Sequence, residues 1–161
     1  MATDCCFVSE NSRFRFRVAA LIIEDGCVLL ACNSKATYFY TIGGGVHLGE
    51  TTQQAVEREV MEEIGVPYKV DRLVAVHENF FHDTSASVLN KYDSHEVAFV
   101  YLMKSRGTKD LPEHQSFCID GREYARWIAI SDLPNHTHFP VFLQDLATDL
   151  PNAVQHFVTK Q

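Results

Sequence analysis

The chain predicts an α/β fold in which a mixed sheet carries helices on both faces. Three observations lead there. Strand-like runs recur from Val18 to Ile130. They are interrupted by one helix with a clear apolar row at about residues 52–64, and a second helical pattern covers about 139–148. With 161 residues and 46% hydrophobic content, the chain can bury one ordinary core. The division expected is a flexible segment over 1–12 and a single domain over 13–161.

The elements follow in order. Arg13, Phe14, Arg15, Phe16 and Arg17 alternate, so a strand here sets three cations on one face and two rings on the other. The common form of that pattern is an edge strand with a charged outer face. Val18–Cys32 reads as two strands around a turn at Asp25-Gly26. Phe39–Ile42 is a strand running into Gly43, Gly44 and Gly45, where the backbone can bend sharply and approach a ligand. Val70–Phe81 is a long strand with room for a bulge, and His82–Ser94 is a polar loop of the length found in lids, binding loops or disordered segments. His95–Met103 is a strand and Lys104–Gln115 a polar loop. A strand centred on residues 123–128 lies between Phe117 and Ile130. Ser131–Pro134 begins a turn or short helix, and Phe139–Thr148 is a final amphipathic helix.

The first helix is the best defined. Thr51 with Gln54 fits a capping box, Gly65 suits the left-handed position beyond the last turn, and Pro67 follows. Val56, Val60 and Ile64 recur at i, i+4 and i+8 and form the core face. Beside them Glu59, Glu62 and Glu63 share a stripe spanning about 100°. Glu57 points elsewhere and reads as a surface acid. Like charges at this spacing repel by a few tenths of a kcal/mol, which Arg58 offsets in part through Glu62. Such a cluster gains by binding a hard divalent cation, Mg²⁺ or Mn²⁺, and carbonyls of the glycine turn can join the carboxylates. A solvated acidic face is the ordinary reading of an isolated cluster. Here the glycines, Glu50 and Arg58 outweigh it.

The stretch 44–66, GGVHLGETTQQAVEREVMEEIGV, resembles the Nudix box, G-x5-E-x7-R-E-U-x-E-E-x-G-U with U a bulky apolar residue. Gly44, Glu50, Arg58, Glu59, Val60, Glu62, Glu63, Gly65 and Val66 fill every defined position, and a chance match in this chain is on the order of 10⁻⁷. Ile42 departs from the proline that many members carry before the glycines. The resemblance implies an α/β/α sandwich and hydrolysis of a diphosphate linkage in a nucleoside diphosphate joined to another moiety. It implies Glu59, Glu62 and Glu63 as metal ligands with the Gly43 carbonyl as an added one, and Arg58 as the residue that orients a glutamate. Glu50 is then a general base or a partner behind the ligands. A later loop often supplies a further acid, for which Asp120, Glu123 and Glu113 are the candidates; Glu96 could also approach. A Nudix-fold module that senses a nucleotide without cleaving it is the alternative, but such modules commonly lose box acids, and all are kept here.

Substrate readers are less clear. Arg15 and Arg17 could meet phosphates, and His47, inside the box, is a further candidate. Tyr38, Tyr40, Phe80 and Phe81 could stack on a base or pack the core, and Trp127 reads as core. The segment around His82, Asp83 and Thr84 shows no marker of a Nudix subfamily, so a nucleoside triphosphate, a nucleotide sugar and ADP-ribose all stay open.

The formal net charge of −7 argues against a general binder of DNA or RNA. A nucleotide can still arrive with a cation that neutralises it. The partner expected is therefore a small nucleotide-type molecule, and a homodimer is compatible with the sequence. Five cysteines fit neither a disulfide framework nor a zinc motif. Cys27 and Cys32 read as buried small hydrophobes, and Cys5-Cys6 as exposed tail thiols. No run is apolar enough to span a membrane and the start lacks a signal-peptide pattern, so the expected location is the cytoplasm.

Overall fold

A computed structural model of the chain describes residues 2–82, 90–114, 116–118 and 121–161. In chain order it contains β1 (Cys6–Ser9), β2 (Ser12–Leu21), β3 (Ile23–Glu24), β4 (Cys27–Asn33), β5 (Phe39–Thr41), α1 (Thr52–Ile64), β6 (Val70–His82) and β7 (Asp93–Met103). Then come β8 (Ser116–Cys118), β9 (Gly121–Ala129), a 3₁₀ turn (Ile130–Asn135), β10 (His138–Phe139), α2 (Leu143–Thr148) and β11 (Gln155–Lys160).

The strands form two mixed sheets rather than one, ordered β1-β2-β7-β6-β11 and β10-β5-β4-β9-β8, with β3 beside β4. β2 pairs in parallel with β7, and β11 with β6. Period-two alternation divides the apolar residues between two cores. Val18, Ala20 and Ile22 join Leu29, Ala31, Tyr101 and Met103 beneath Ala55, Val56, Val60 and Ile64 of α1. The intervening Ala19 and Leu21 join Val28, Leu30, Val100 and Leu102 beneath Leu143, Leu146 and Ala147 of α2. Helix, strands and helix are thus layered as an α/β/α arrangement. A one-residue slip of β2 would exchange the two cores, so its register is strongly specified.

Local chemistry sets the boundaries. The α1 capping box is present in both directions, and Gly65 closes the helix in the left-handed conformation (φ 69°). Asp25 and Gly26 both take positive φ, as a two-residue hairpin turn with matching twist requires. β6 carries register shifts between Val70 and Arg72 and between Leu73 and Ala75.

Several expectations are corrected. Within 1–12, β1 pairs with β2 and Phe7 stacks on Phe14, so part of this segment belongs to the sheet. β2 therefore lies between two strands and is not an edge. Strand pairing reaches His82 and begins again at Asp93, which shortens the expected 82–94 loop; residues 83–89, including Asp83 and Thr84, lie outside the described residues. The last helix is only Leu143–Thr148, because His138 and Phe139 pair with β5. β11 has no counterpart in the sequence reading. All five cysteines are free and half-buried, with Cys5 packed against the α1 core. Among the described residues no helix is long and apolar enough to cross a membrane.

His77 of β6 is 7% exposed, with its ring edge-on to Phe142. Burial holds its pKa down to about 4 against the opposing pull of Glu96, while Arg17 adds to the lowering. The unfolded chain takes up this proton near pH 6.5 and the folded chain only near 4, so the neutral ring's contribution is full above 6.5 and is lost as pH falls through that window. The window is worth about 3 kcal/mol. His77→Gln is expected to flatten the loss of stability between pH 6.5 and 4 by roughly that amount, measured by urea unfolding at each pH.

Candidate active site

The site is built where the glycine turn is sewn onto β2. The Val18 amide donates to the Gly44 carbonyl (2.9 Å), Ala20 to Ile42 (2.8 Å), and Val46 to the Phe16 carbonyl (3.1 Å). Gly43 sits at φ 142°, and a Cβ there would strike the Val18 carbonyl. A Cβ on Gly44 would strike the Glu59 carboxylate. Gly43 needs glycine because its positive φ and the Val18 backbone leave no room for a Cβ, whereas a Cβ on Gly44 would have to displace the Glu59 carboxylate.

Arg58 joins the turn to the helix. Its Nε and Nη2 donate to the two oxygens of Glu50 at 2.8 and 3.0 Å, and Nη2 also donates to the Gly45 carbonyl at 2.9 Å. Nη1 donates to Glu59 Oε1 at 2.7 Å and Glu62 Oε2 at 3.1 Å. All five guanidinium donors are engaged. The ion pairs with Glu50 and Glu59 raise the Arg58 pKa against the opposing effect of its burial. Hydrogen bonding from Arg58, helped by the His47 amide, lowers the Glu50 pKa against the effect of burial.

The three box glutamates differ. Glu59 (14% exposed) and Glu63 face a cleft of about 910 Å³, whereas Glu62 (58% exposed) lines its rim against Arg58. Burial raises the Glu59 pKa despite Arg58. Burial and the nearby Glu123 carboxylate hold Glu63 well above the usual carboxylate range, although the Gly43 amide donates to its Oε1 at 2.9 Å. In this arrangement no three His, Cys, Asp or Glu side chains among the described residues close on a single point. Glu57 is not the plain surface acid of the sequence reading. It accepts from Lys69 Nζ (2.6 Å) and the Val70 amide (3.1 Å), fastening the start of β6 to α1.

Arg13, Arg15 and Arg17 all line the cleft. Arg15 lies 3.6 Å from Glu96, and Arg17 donates to the Thr41 carbonyl at 3.0 Å and reaches the Gly43 carbonyl at 3.5 Å. His47 is not part of the lining. It lies between Asp4 (3.4 Å) and Glu50 (3.8 Å) and braces the outer side of the turn. Glu123 lines the cleft and accepts from Tyr40 Oη (2.6 Å) and Ser116 Oγ (3.2 Å). Glu113 is exposed and away from the lining, and Asp120 is outside the described residues. Tyr38, Tyr40 and Phe81 line the cleft, while Phe80 stacks on His95. Trp127 packs beside the α1 core. Asn33, His77, Asn79, Phe117, Phe139 and Thr159 also line the cleft and are not among the site candidates of the sequence. For His77 and Asn79 the period-two pattern of β6 was the available signal, since they alternate with the outward Glu78.

A carboxylate-bearing helix thus faces arginines across a cleft, within an α/β/α frame. The chain belongs to the Nudix family, whose NUDIX domain pattern matches residues 13–146, and it is a pyrophosphohydrolase of that family. It is 30% identical over 123 residues to the CTP pyrophosphohydrolase of Escherichia coli (strain K12), across 73% of this chain and 84% of that one. Its fold is similar to that of a mutator MutT protein from Bacillus halodurans (TM-score 0.64, 15% identity, 91% and 90% of the two chains covered). It is also similar to the E. coli ORF135 protein (TM-score 0.60, 22% identity, 87% and 95% covered). Nudix hydrolases act on small nucleotide-type substrates and generally use divalent metals.

Arg58→Lys keeps the charge and loses the fork. It is expected to destabilise the protein by about 2 kcal/mol, read as a lowered urea midpoint, because Glu50 is left without its two-point partner.

Proposed function

We propose that the protein hydrolyses a nucleoside triphosphate, with CTP the first candidate, to the monophosphate and pyrophosphate, using Mg²⁺ with Mn²⁺ as a substitute. The observation that carries this reading is the pair Glu59 and Glu63, half-buried together in the cleft, where desolvation outweighs the pull of Arg58 and Arg17. Their raised pKa values mark a place that gains from a cation. Their oxygens suit a hard ion, and the missing Cβ of Gly44 leaves Glu59 its room. Glu59, Glu62, Glu63 and the Gly43 carbonyl would hold the ion, and Glu123, whose charge acts on Glu63, is a further acid in the cleft. When bound, the cation supplies positive charge to the non-bridging oxygens and acidifies the attacking water.

The remaining work falls to the chain itself. Arg15 and Arg17 reach the phosphates across the cleft and hold them in line for attack. Arg58 keeps Glu59 and Glu62 oriented. Glu50 has both oxygens engaged and a lowered pKa, which favours its part as the partner behind the ligands rather than as the base. The proton of the attacking water therefore goes to a carboxylate that faces the cleft. The 30% identity to a CTP pyrophosphohydrolase supports CTP ahead of nucleotide sugars and ADP-ribose.

Glu63→Gln is expected to lower kcat by about 10²–10³-fold with the fold intact by circular dichroism. Unchanged turnover in the purified variant would remove Glu63 from the site. EDTA should abolish hydrolysis across a panel of triphosphates, nucleotide sugars, dinucleotides and ADP-ribose, and Mg²⁺ should restore it; activity that persists in EDTA would defeat the metal reading. Glu57→Gln is the control, expected to lose about 1 kcal/mol of stability through its Lys69 and Val70 contacts while keeping turnover.

A further inference from the structure

The NUDIX match ends at residue 146, but the cleft does not. β11 lies beyond that span and, in its parallel pairing with β6, sets Thr159 opposite Asn79. The Thr159 hydroxyl stands 2.8 Å from His77 Nε2 and donates to Asn79 Oδ1 at 2.6 Å. All three side chains line the cleft.

A hydroxyl has one proton to give. Spent on the Asn79 carbonyl oxygen, it cannot also serve His77, so the ring must donate Nε2–H to Thr159. Burial keeps that ring neutral, with a single N–H to place. Donation therefore runs from His77 to Thr159 to Asn79. The Asn79 Nδ2 hydrogens, which no other described residue takes up, are left for the cleft. With the amide turned over, Asn79 would donate to the hydroxyl and present its carbonyl instead, and the hydroxyl proton would be free to serve an Nδ1–H ring. One hydroxyl decides which half of the amide meets a ligand.

The register gives the distance. Arg15 lies opposite Glu96, and Glu96 opposite Asn79, so Asn79 is two strands, about 10 Å, from the arginine row. A nucleotide with its phosphates between Arg15, Arg17 and the box glutamates carries its sugar or base over that interval. We infer that Thr159 is a positioning residue that fixes Asn79 as a hydrogen-bond donor to an acceptor oxygen on the nucleoside half of the substrate, a sugar hydroxyl or a base carbonyl. The ligand rests on the nucleotide reading above; the polarity of the network does not.

Two experiments on the full chain test it. Nitrogen–proton NMR of the His77 ring in the free protein is expected to show Nε2–H, with the same tautomer in Thr159→Ser and a changed one in Thr159→Val. An Nδ1–H ring in the wild type overturns the inference whether or not any nucleotide is hydrolysed. In steady-state hydrolysis of CTP with Mg²⁺, Thr159→Val is expected to raise KM about fivefold, the size of one uncharged hydrogen bond, with kcat held within about twofold. Thr159→Ser should restore KM, and Thr159→Val should add nothing in an Asn79→Ala background. An unchanged KM, or a loss confined to kcat and the thermal midpoint, overturns the inference. A penalty that disappears with dCTP sets the acceptor at the sugar 2′ oxygen, and one that persists sets it elsewhere on the nucleoside. Should the wild type hydrolyse no triphosphate, the hydrolase reading fails alone, and calorimetric binding of CTP with Mg²⁺ decides the inference: a weakening of about fivefold in Thr159→Val supports it and equal affinities overturn it.

Discussion

The Arg58 guanidinium is the constraint on which the rest of the site depends. Among the described residues it is the one group that touches the glycine turn through Gly45, the isolated acid Glu50, and two acids of the helix stripe. Without it Glu50 would keep only the His47 amide and ring as partners, and Glu59 would lose the contact that orients it. A lysine could supply the charge but not the planar fork that reaches these groups at once. The sequence R-E-V-M-E-E therefore carries its own counterion, and the helix can bear its acids before any ligand arrives.

The cation does not finish the neutralisation. Glu62 takes up part of it at the rim, and Glu63 lies deeper, against Glu123 and the Gly43 amide. The result is a graded row, from a solvated acid to one that is costly to ionise. The two-core layering makes such a row possible. α1 is fixed by Val56, Val60 and Ile64 on one face, so its acid stripe must open toward the seam between the sheets. β2 passes beneath the same seam and brings its arginines to it, while its rings Phe14 and Phe16 turn to the other face.

Much of this was legible in the sequence. The capping box, the left-handed Gly65, the core row of α1 and the Asp25-Gly26 turn are local signals, each decided within a few residues, and each stands where it was expected. The arginine alternation was also legible, though the position of its strand inside the sheet was not, because pairing partners are a property of the whole chain. β1 and β11 were missed for the same reason: short terminal strands become strands through their neighbours. Tyr40 and Glu123 stand 83 positions apart, and Thr159 and Asn79 80 apart. No spacing rule reaches that far, so the walls of the cleft appeared only with the fold. The character of Glu57 was misread because its partners, Lys69 and the Val70 amide, lie beyond the helix that displays it.

The central claim is that the half-buried acids of one helix stripe form a cation site. The most direct test is a titration of the purified protein with Mn²⁺, followed by the loss of the free-ion paramagnetic resonance signal, in the wild type and in the double variant Glu59→Gln, Glu63→Gln. Saturable binding in the wild type that disappears in the double variant is the result the account requires. Equal binding by the two proteins, or none by the wild type, would contradict it.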